Sequence, residues 1–195
     1  PHVFTTVPRL LEKVFDKIMT TGNSLTGIKR VFFFWALSLG LRYEHLNKNG
    51  WWYHFQLRIV DKLVFSKWRQ ALGEEVRLIV SGGAALQPRL ARVFSAAKIM
   101  ILEGYGLTET SPVTHANFLW EERIPGSIGV PWPDTDAKIL SFETGKEAAV
   151  SEVGEIAVKG PQVMKGYVNL PEQTLATLKG GWLFTGDIAT VDDEG

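Results

Sequence analysis

Leu10, Leu11, Val14, Phe15, Ile18 and Met19 recur at three- and four-residue spacings, which puts them on one face of a helix. Pro8 suits its first turn, where no backbone amide is needed, and Gly22 is placed to close it. Two more helical stretches are expected, at about 28–39 and 55–72. The period then changes. Val76-Arg77-Leu78-Ile79-Val80 and Ile99-Met100-Ile101-Leu102 are short apolar runs that read as buried strands, and they flank a helical stretch at about 88–97. Strand, helix, strand is a βαβ unit and predicts parallel pairing. Past residue 120 the runs shorten to Ala137-Lys138-Ile139-Leu140 and Glu155-Ile156-Ala157-Val158, separated by glycine- and proline-rich turns, as in a small antiparallel sheet or barrel. The expected fold class is therefore mixed α/β. Helices and part of a βαβ sheet fill residues 1–120, and a β-rich, barrel-like subdomain fills 121–195.

Composition narrows the picture without changing it. With 45% hydrophobic residues the chain can pack a core. Its 21 basic and 21 acidic residues cancel, so no general field draws it to nucleic acid or an anionic membrane. The absence of cysteine excludes disulfides and thiolate metal sites. The apolar run from Val31 to Leu41 is interrupted by Ser38 and Gly40 and falls short of the roughly 20 residues a bilayer span needs. No stretch has the pattern of a secretory signal, and a cytoplasmic location is expected.

The densest chemistry lies in Tyr105-Gly106-Leu107-Thr108-Glu109-Thr110, directly after an expected strand. Ligands of α/β proteins bind in clefts at strand ends. A tyrosine ring can stack on a planar base, and Gly104 and Gly106 let backbone approach closely. Thr108 offers a hydroxyl to a phosphate. Glu109 is a hard oxygen ligand of the kind Mg²⁺ prefers. A plain capped turn with a solvated Glu109 reads equally well from these six residues alone.

Other segments shift that balance. Ser81-Gly82-Gly83-Ala84-Ala85-Leu86 lies upstream; Gly154-Glu155-Ile156, Lys159-Gly160-Pro161, Gly166-Tyr167 and Gly181-Trp182-Leu183-Phe184-Thr185-Gly186-Asp187 lie downstream. In this order and spacing they resemble the core motifs of the AMP-forming adenylation superfamily. Val7-Pro8-Arg9-Leu10-Leu11-Glu12-Lys13 and the run from Leu63 to Gly73 are similar to the bacterial long-chain fatty-acid–CoA ligases within it.

The resemblance implies a site and a reaction. Gly83 and Ala84 would border adenine and the acyl chain, and Glu103 and Gly104 would line the nucleotide pocket, although many relatives carry glutamine at the position of Glu103. Tyr105 would stack on adenine beside Gly106, Thr108 would contact phosphate, Glu109 would bind Mg²⁺, and Asp187 would accept hydrogen bonds from the ribose. A turn-capping role for Asp187 is the alternative, and Lys159 reads as a solvated strand residue about as readily as a site residue. The implied substrates are ATP, a fatty acid and coenzyme A. The implied chain is the middle of a larger ligase, with the phosphate loop before Pro1 and the lysine-bearing C-terminal domain after Gly195. Such a piece is expected to be inactive alone and open to self-association, and its parent leaves room for peripheral membrane contact. Another adenylating enzyme, or a nucleotide-binding module without turnover, remains open.

Several features point elsewhere and are set aside. His2, His45, His54 and His115 lack metal-ligand spacing. Trp51-Trp52-Tyr53-His54-Phe55 could stack on bases, but with no excess positive charge it reads as packing or an insertion surface. No serine stands in a Gly-x-Ser-x-Gly elbow, which argues against a hydrolase triad.

Overall fold

The computed structural model describes residues 2–44, 48–118, 124 and 126–193. His45 and the expected boundary at residue 120 lie outside them. The chain forms two compact units, one of residues 1–104 and 117–129, the other of residues 105–116 and 130–195.

The first unit opens with β1 (Val3–Thr6), four residues too short to announce a period. Helix α1 (Pro8–Ser24) follows and buries Leu11 and Phe15, as its spacing requires. Gly22 does not close it, because the chain stays helical until Leu25 turns extended. The glycine serves packing instead. A Cβ built there would overlap the Phe33 ring, so its lack of a side chain is what lets α2 (Gly27–Leu41) lie close.

The third expected helix is longer and less regular than its pattern suggested. It begins as α3 (Gly50–Val60), widens to π winding over Asp61–Phe65, and resumes as α4 (Ser66–Ala71). An extra residue per turn shifts the faces downstream. Asp61 accepts from Arg69 Nη1 and from Lys98 Nζ, both at 2.6 Å, and the same Arg69 nitrogen donates to the Ala97 carbonyl at 2.7 Å. Burial alone would raise the Asp61 pKa, but these two cations hold it below the usual carboxylate value. Of the aromatic run, Tyr53 packs and donates from its hydroxyl to the Leu39 carbonyl at 2.6 Å. Trp51, Trp52 and Phe55 stay exposed, touching one another.

Strands β2 (Leu78–Ser81) and β3 (Met100–Gly106) flank α5 (Pro88–Ala96). β1 pairs with β2 and β2 with β3, all parallel, which fulfils the βαβ expectation. Leu39, Phe65, Phe94, Leu90 and Ile79 are fully enclosed in the core these helices share with the strands. β3 is longer than the apolar run predicted. It continues through Glu103, Gly104, Tyr105 and Gly106, so the motif begins inside a strand and not in the loop beyond it.

The second unit contains β4 (Val113–Ala116) paired antiparallel with β5 (Val130–Pro131). It also holds an antiparallel sheet of β6 (Asp136–Ser141), β7 (Gly154–Lys159), β8 (Leu178–Lys179) and β9 (Trp182–Ala189) in the order β6-β7-β9-β8. Ile139, Ile156, Val158 and Leu183 alternate inward to form its core. Helix α6 (Pro171–Thr177) has no buried residue, so no apolar stripe signalled it. The mixed α/β class expected from the sequence is the one observed.

Candidate functional site

In the first unit the motif residues gather at the ends of β2 and β3. Thr6, Ser81 and Glu103 stand in register across β1, β2 and β3. Gly82, Gly83 and Ala84 follow Ser81 as an irregular turn. Gly83 has φ +79, a conformation that L side chains rarely adopt. A Cβ on Gly82 would stand 3.3 Å from the Gly104 carbonyl oxygen, so these two motif backbones run close together. The Ser81 hydroxyl is buried and, among the described residues, has no hydrogen-bond partner.

Glu103 has a structural engagement that the sequence did not foretell. Its carboxylate accepts from the backbone amides of Leu86 at 3.4 Å and Gly126 at 3.2 Å, tying two loops to the end of β3. Burial raises its pKa, and the two amides offset only part of that rise.

In the second unit the motif turns sharply. A Cβ on Gly106 would run into the Pro112 carbonyl, so no other residue fits there. Thr108–Thr110 forms one 3-10 turn, closed by the Thr110 hydroxyl donating to the Leu107 and Pro112 carbonyls and accepting from the Leu107 amide. Thr110 is fully buried while Thr108 is exposed. The two threonines therefore divide the work: the buried one builds the turn, and the other keeps its hydroxyl available.

Tyr105 and Asp187, distant in sequence, meet here. The Tyr105 hydroxyl donates to Asp187 Oδ2 at 2.7 Å. Burial raises the Tyr105 pKa, and the Asp187 charge adds to the rise, so the phenol stays protonated and donates. Its ring lies 5.8 Å from that of His115, whose own pKa burial lowers to about 4. Asp187 sits past Gly186, which takes φ +76 within β9. Thr185 fixes that bend by donating to the Ile156 carbonyl at 2.7 Å and accepting from the Asp187 amide at 3.1 Å. Glu155 accepts from the Gly186 amide at 2.9 Å. Among the described residues the Asp187 carboxylate takes the tyrosine hydroxyl and caps no backbone amide.

Glu109 is half-buried, and its Oε1 accepts from the Tyr167 hydroxyl at 2.8 Å. That bond raises the tyrosine pKa. The Glu109 carbonyl also accepts from the Met164 amide at 2.7 Å, so the turn is held at both backbone and side chain. Tyr167 was visible only as part of a Gly-Tyr pair; nothing in the sequence tied it to Glu109. Among the described residues no group of three histidine, aspartate or glutamate side chains converges as a metal cage. Lys159 ends β7 exposed to solvent.

Residues 1–168 match the family model described as "AMP-binding enzyme". The chain belongs to the AMP-binding enzyme family. Among curated members, it is 57% identical over 121 residues to a long-chain-fatty-acid–CoA ligase of Bacillus subtilis, covering 62% of this chain and 22% of that protein. It is 34% identical to long chain acyl-CoA synthetase 3 of Arabidopsis thaliana, a match that covers 100% of this chain and 29% of the relative. Solved members include ATP-bound MatB from Rhodopseudomonas palustris, at 31% identity and TM-score 0.60 over 69% of this chain and 28% of that one. The AMP complex of O-succinylbenzoate coenzyme A synthetase from Bacillus subtilis matches at 31% identity and TM-score 0.58, over 66% of this chain and 28% of that one. The chain therefore spans between a fifth and a third of the length of these family members.

Proposed function

We propose that this chain is the adenosine- and metal-binding middle of an ATP-dependent, AMP-forming long-chain fatty-acid–CoA ligase. The Tyr105–Asp187 pair carries the reading. It sets a planar ring that can stack on a base beside a carboxylate whose remaining lone pairs can accept from ribose hydroxyls. Gly83 and Ala84 border the adenine and the acyl chain in this reading, and Gly104 and Gly106 keep the nucleotide pocket clear of side chains. Within the first unit Glu103 holds the loops of Leu86 and Gly126 at the end of β3 through their amides.

In the first step a fatty carboxylate oxygen attacks the α-phosphorus of ATP, the bond to the β-phosphate bridging oxygen breaks, and pyrophosphate leaves with that electron pair. In the second the thiol of coenzyme A releases its proton to solvent, its sulfur attacks the acyl carbonyl of acyl-AMP, and AMP departs with the electron pair of the broken acyl–oxygen bond. The contribution of the protein is mainly positioning and charge stabilisation. Thr108 holds a phosphate oxygen. Glu109, whose Oε1 is steadied by Tyr167, is the hard oxygen ligand that would hold Mg²⁺. One carboxylate suffices for Mg²⁺ when water and phosphate oxygens complete its shell. Bound there, the cation would neutralise charge on the phosphates. Peripheral membrane contact belongs to the same proposal, through exposed Trp51, Trp52 and Phe55 with Arg58 on the following turn.

ATP–pyrophosphate exchange is the test, with palmitate, acetate and a panel of amino acids as the acid. The full-length protein that contains this chain is expected to exchange with palmitate foremost, and the isolated chain is expected to stay at background. Preference for an amino acid would overturn the substrate class. Exchange by the isolated chain would overturn its assignment as an incomplete site.

A further inference from the structure

The first unit holds a groove that shares no residue with the segments Ser81–Leu86 and Glu103–Thr110 or with Asp187. It encloses about 520 Å³ between α1, α2 and the helix that runs from the π segment into α4. Its floor is apolar, with Phe33, Val64 and Trp68 buried beneath it. Its lining includes Lys17, Lys29 and Lys67, one from each of the three walls. All three are exposed, and among the described residues none has a carboxylate at salt-bridge distance. The nearby Asp61 is no counter-charge, because Arg69 and Lys98 already occupy both of its oxygens. Cavities of roughly 300–1,000 Å³ with apolar walls and a few placed polar groups are the usual form of small-molecule sites.

The combination selects a ligand class. An apolar cleft alone would take any hydrocarbon, and three lysines alone would be a solvated face. Together they complement an aliphatic chain with an anionic head: the chain covers Phe33 and Trp68, and the head meets ammonium groups whose stems already lie along apolar surface. We propose that this groove binds a single-chain aliphatic anion of the long-chain carboxylate class, at a site separate from the motif residues. The inference stands on the groove and does not require the ligase reading. Were that reading correct, the protein would hold its acid at two places, one for reaction and one for capture or feedback.

The test is photo-crosslinking of the full-length protein with a palmitate analogue bearing a mid-chain diazirine, mapped by peptide mass spectrometry. Labelling is expected on peptides from 8–24, 27–41 and 61–72, displaced by palmitate and not by hexadecyltrimethylammonium. Substituting Lys17→Met, Lys29→Met and Lys67→Met together keeps the apolar stems and removes the charges. Labelling there should fall about tenfold, the equivalent of about 1.4 kcal/mol. A second variant, Ala71→Trp, adds bulk to the groove lining and should also lower labelling, with melting temperature checked for both. Absence of label on these peptides overturns the proposal, as does label that is undiminished in the triple variant or yields equally to the cationic amphiphile. A protein that labels here yet forms no palmitoyl-CoA would retain this site and lose the ligase reading; one that forms palmitoyl-CoA without label here would do the opposite.

Discussion

Replacing Asp187 by asparagine tests the nucleotide reading most directly. The carboxylate accepts from Tyr105 at 2.7 Å through Oδ2 and is steered by the Thr185–Gly186 bend, whose bonds use backbone amides and the Thr185 hydroxyl and so survive the change. What is lost is charge and one acceptor. A hydrogen bond to a charged group contributes about 1.5–3 kcal/mol, and because Asp187 is exposed the lower end applies, about a tenfold loss of affinity. Tyr105→Phe keeps the ring and removes the donor to that carboxylate, again a bond to a charged group. The double variant should lose less than the sum, since the two changes break one shared bond. Titration calorimetry of the full-length protein with AMP and with its 2′,3′-dideoxy analogue decides the matter. Asp187→Asn should weaken AMP and leave the dideoxy compound nearly unaffected. Equal losses for both nucleotides would refute the ribose assignment.

Three further outcomes follow from the structure. Glu109→Gln keeps the bond from Tyr167 but loses the charge, so kcat should fall more than the KM for ATP rises, with partial recovery at high Mg²⁺; steady-state kinetics over both concentrations would show it. Asp61→Asn leaves Arg69 and Lys98 without their shared counter-charge and should cost roughly 1–3 kcal/mol in urea unfolding, a loss the unmutated protein approaches only as acid protonates Asp61 below its lowered pKa. His115 is buried neutral, so the unfolded chain takes up its proton first as pH falls; stability should be full above about 6.5 and decline towards pH 4 by up to about 3 kcal/mol, and His115→Gln should remove that part of the slope.

Local pattern carried the elements whose faces differ, and long-range pairing carried the rest. Leu11 and Phe15 announced α1 because burial follows the helical period, and the apolar runs announced β2 and β3. Gly22 was misread because a glycine near a helix end and a glycine pressed against Phe33 look alike until the partner helix is in place. The π segment is invisible to a period of 3.6, and α6 buries nothing that could mark it. At the site the residue types were legible from the ordered motifs. Their geometry was not: Tyr105 reaches Asp187 across 82 positions, and Tyr167 reaches Glu109 across 58. Residue spacing holds no record of such contacts.

The threading of the chain between its two units bears on how the protein is made. Residues 117–129 return to the first unit after 105–116 have already joined the second. A ribosome emitting the chain from its N-terminus would release β1, β2 and β3 well before Gly126, whose amide completes the binding of Glu103. During that interval a partly buried carboxylate would wait for one of its two backbone donors. Synthesis proceeds at about 5–20 residues per second, so the delay is on the order of seconds, long enough for a chaperone to meet the nascent first unit while it is still open.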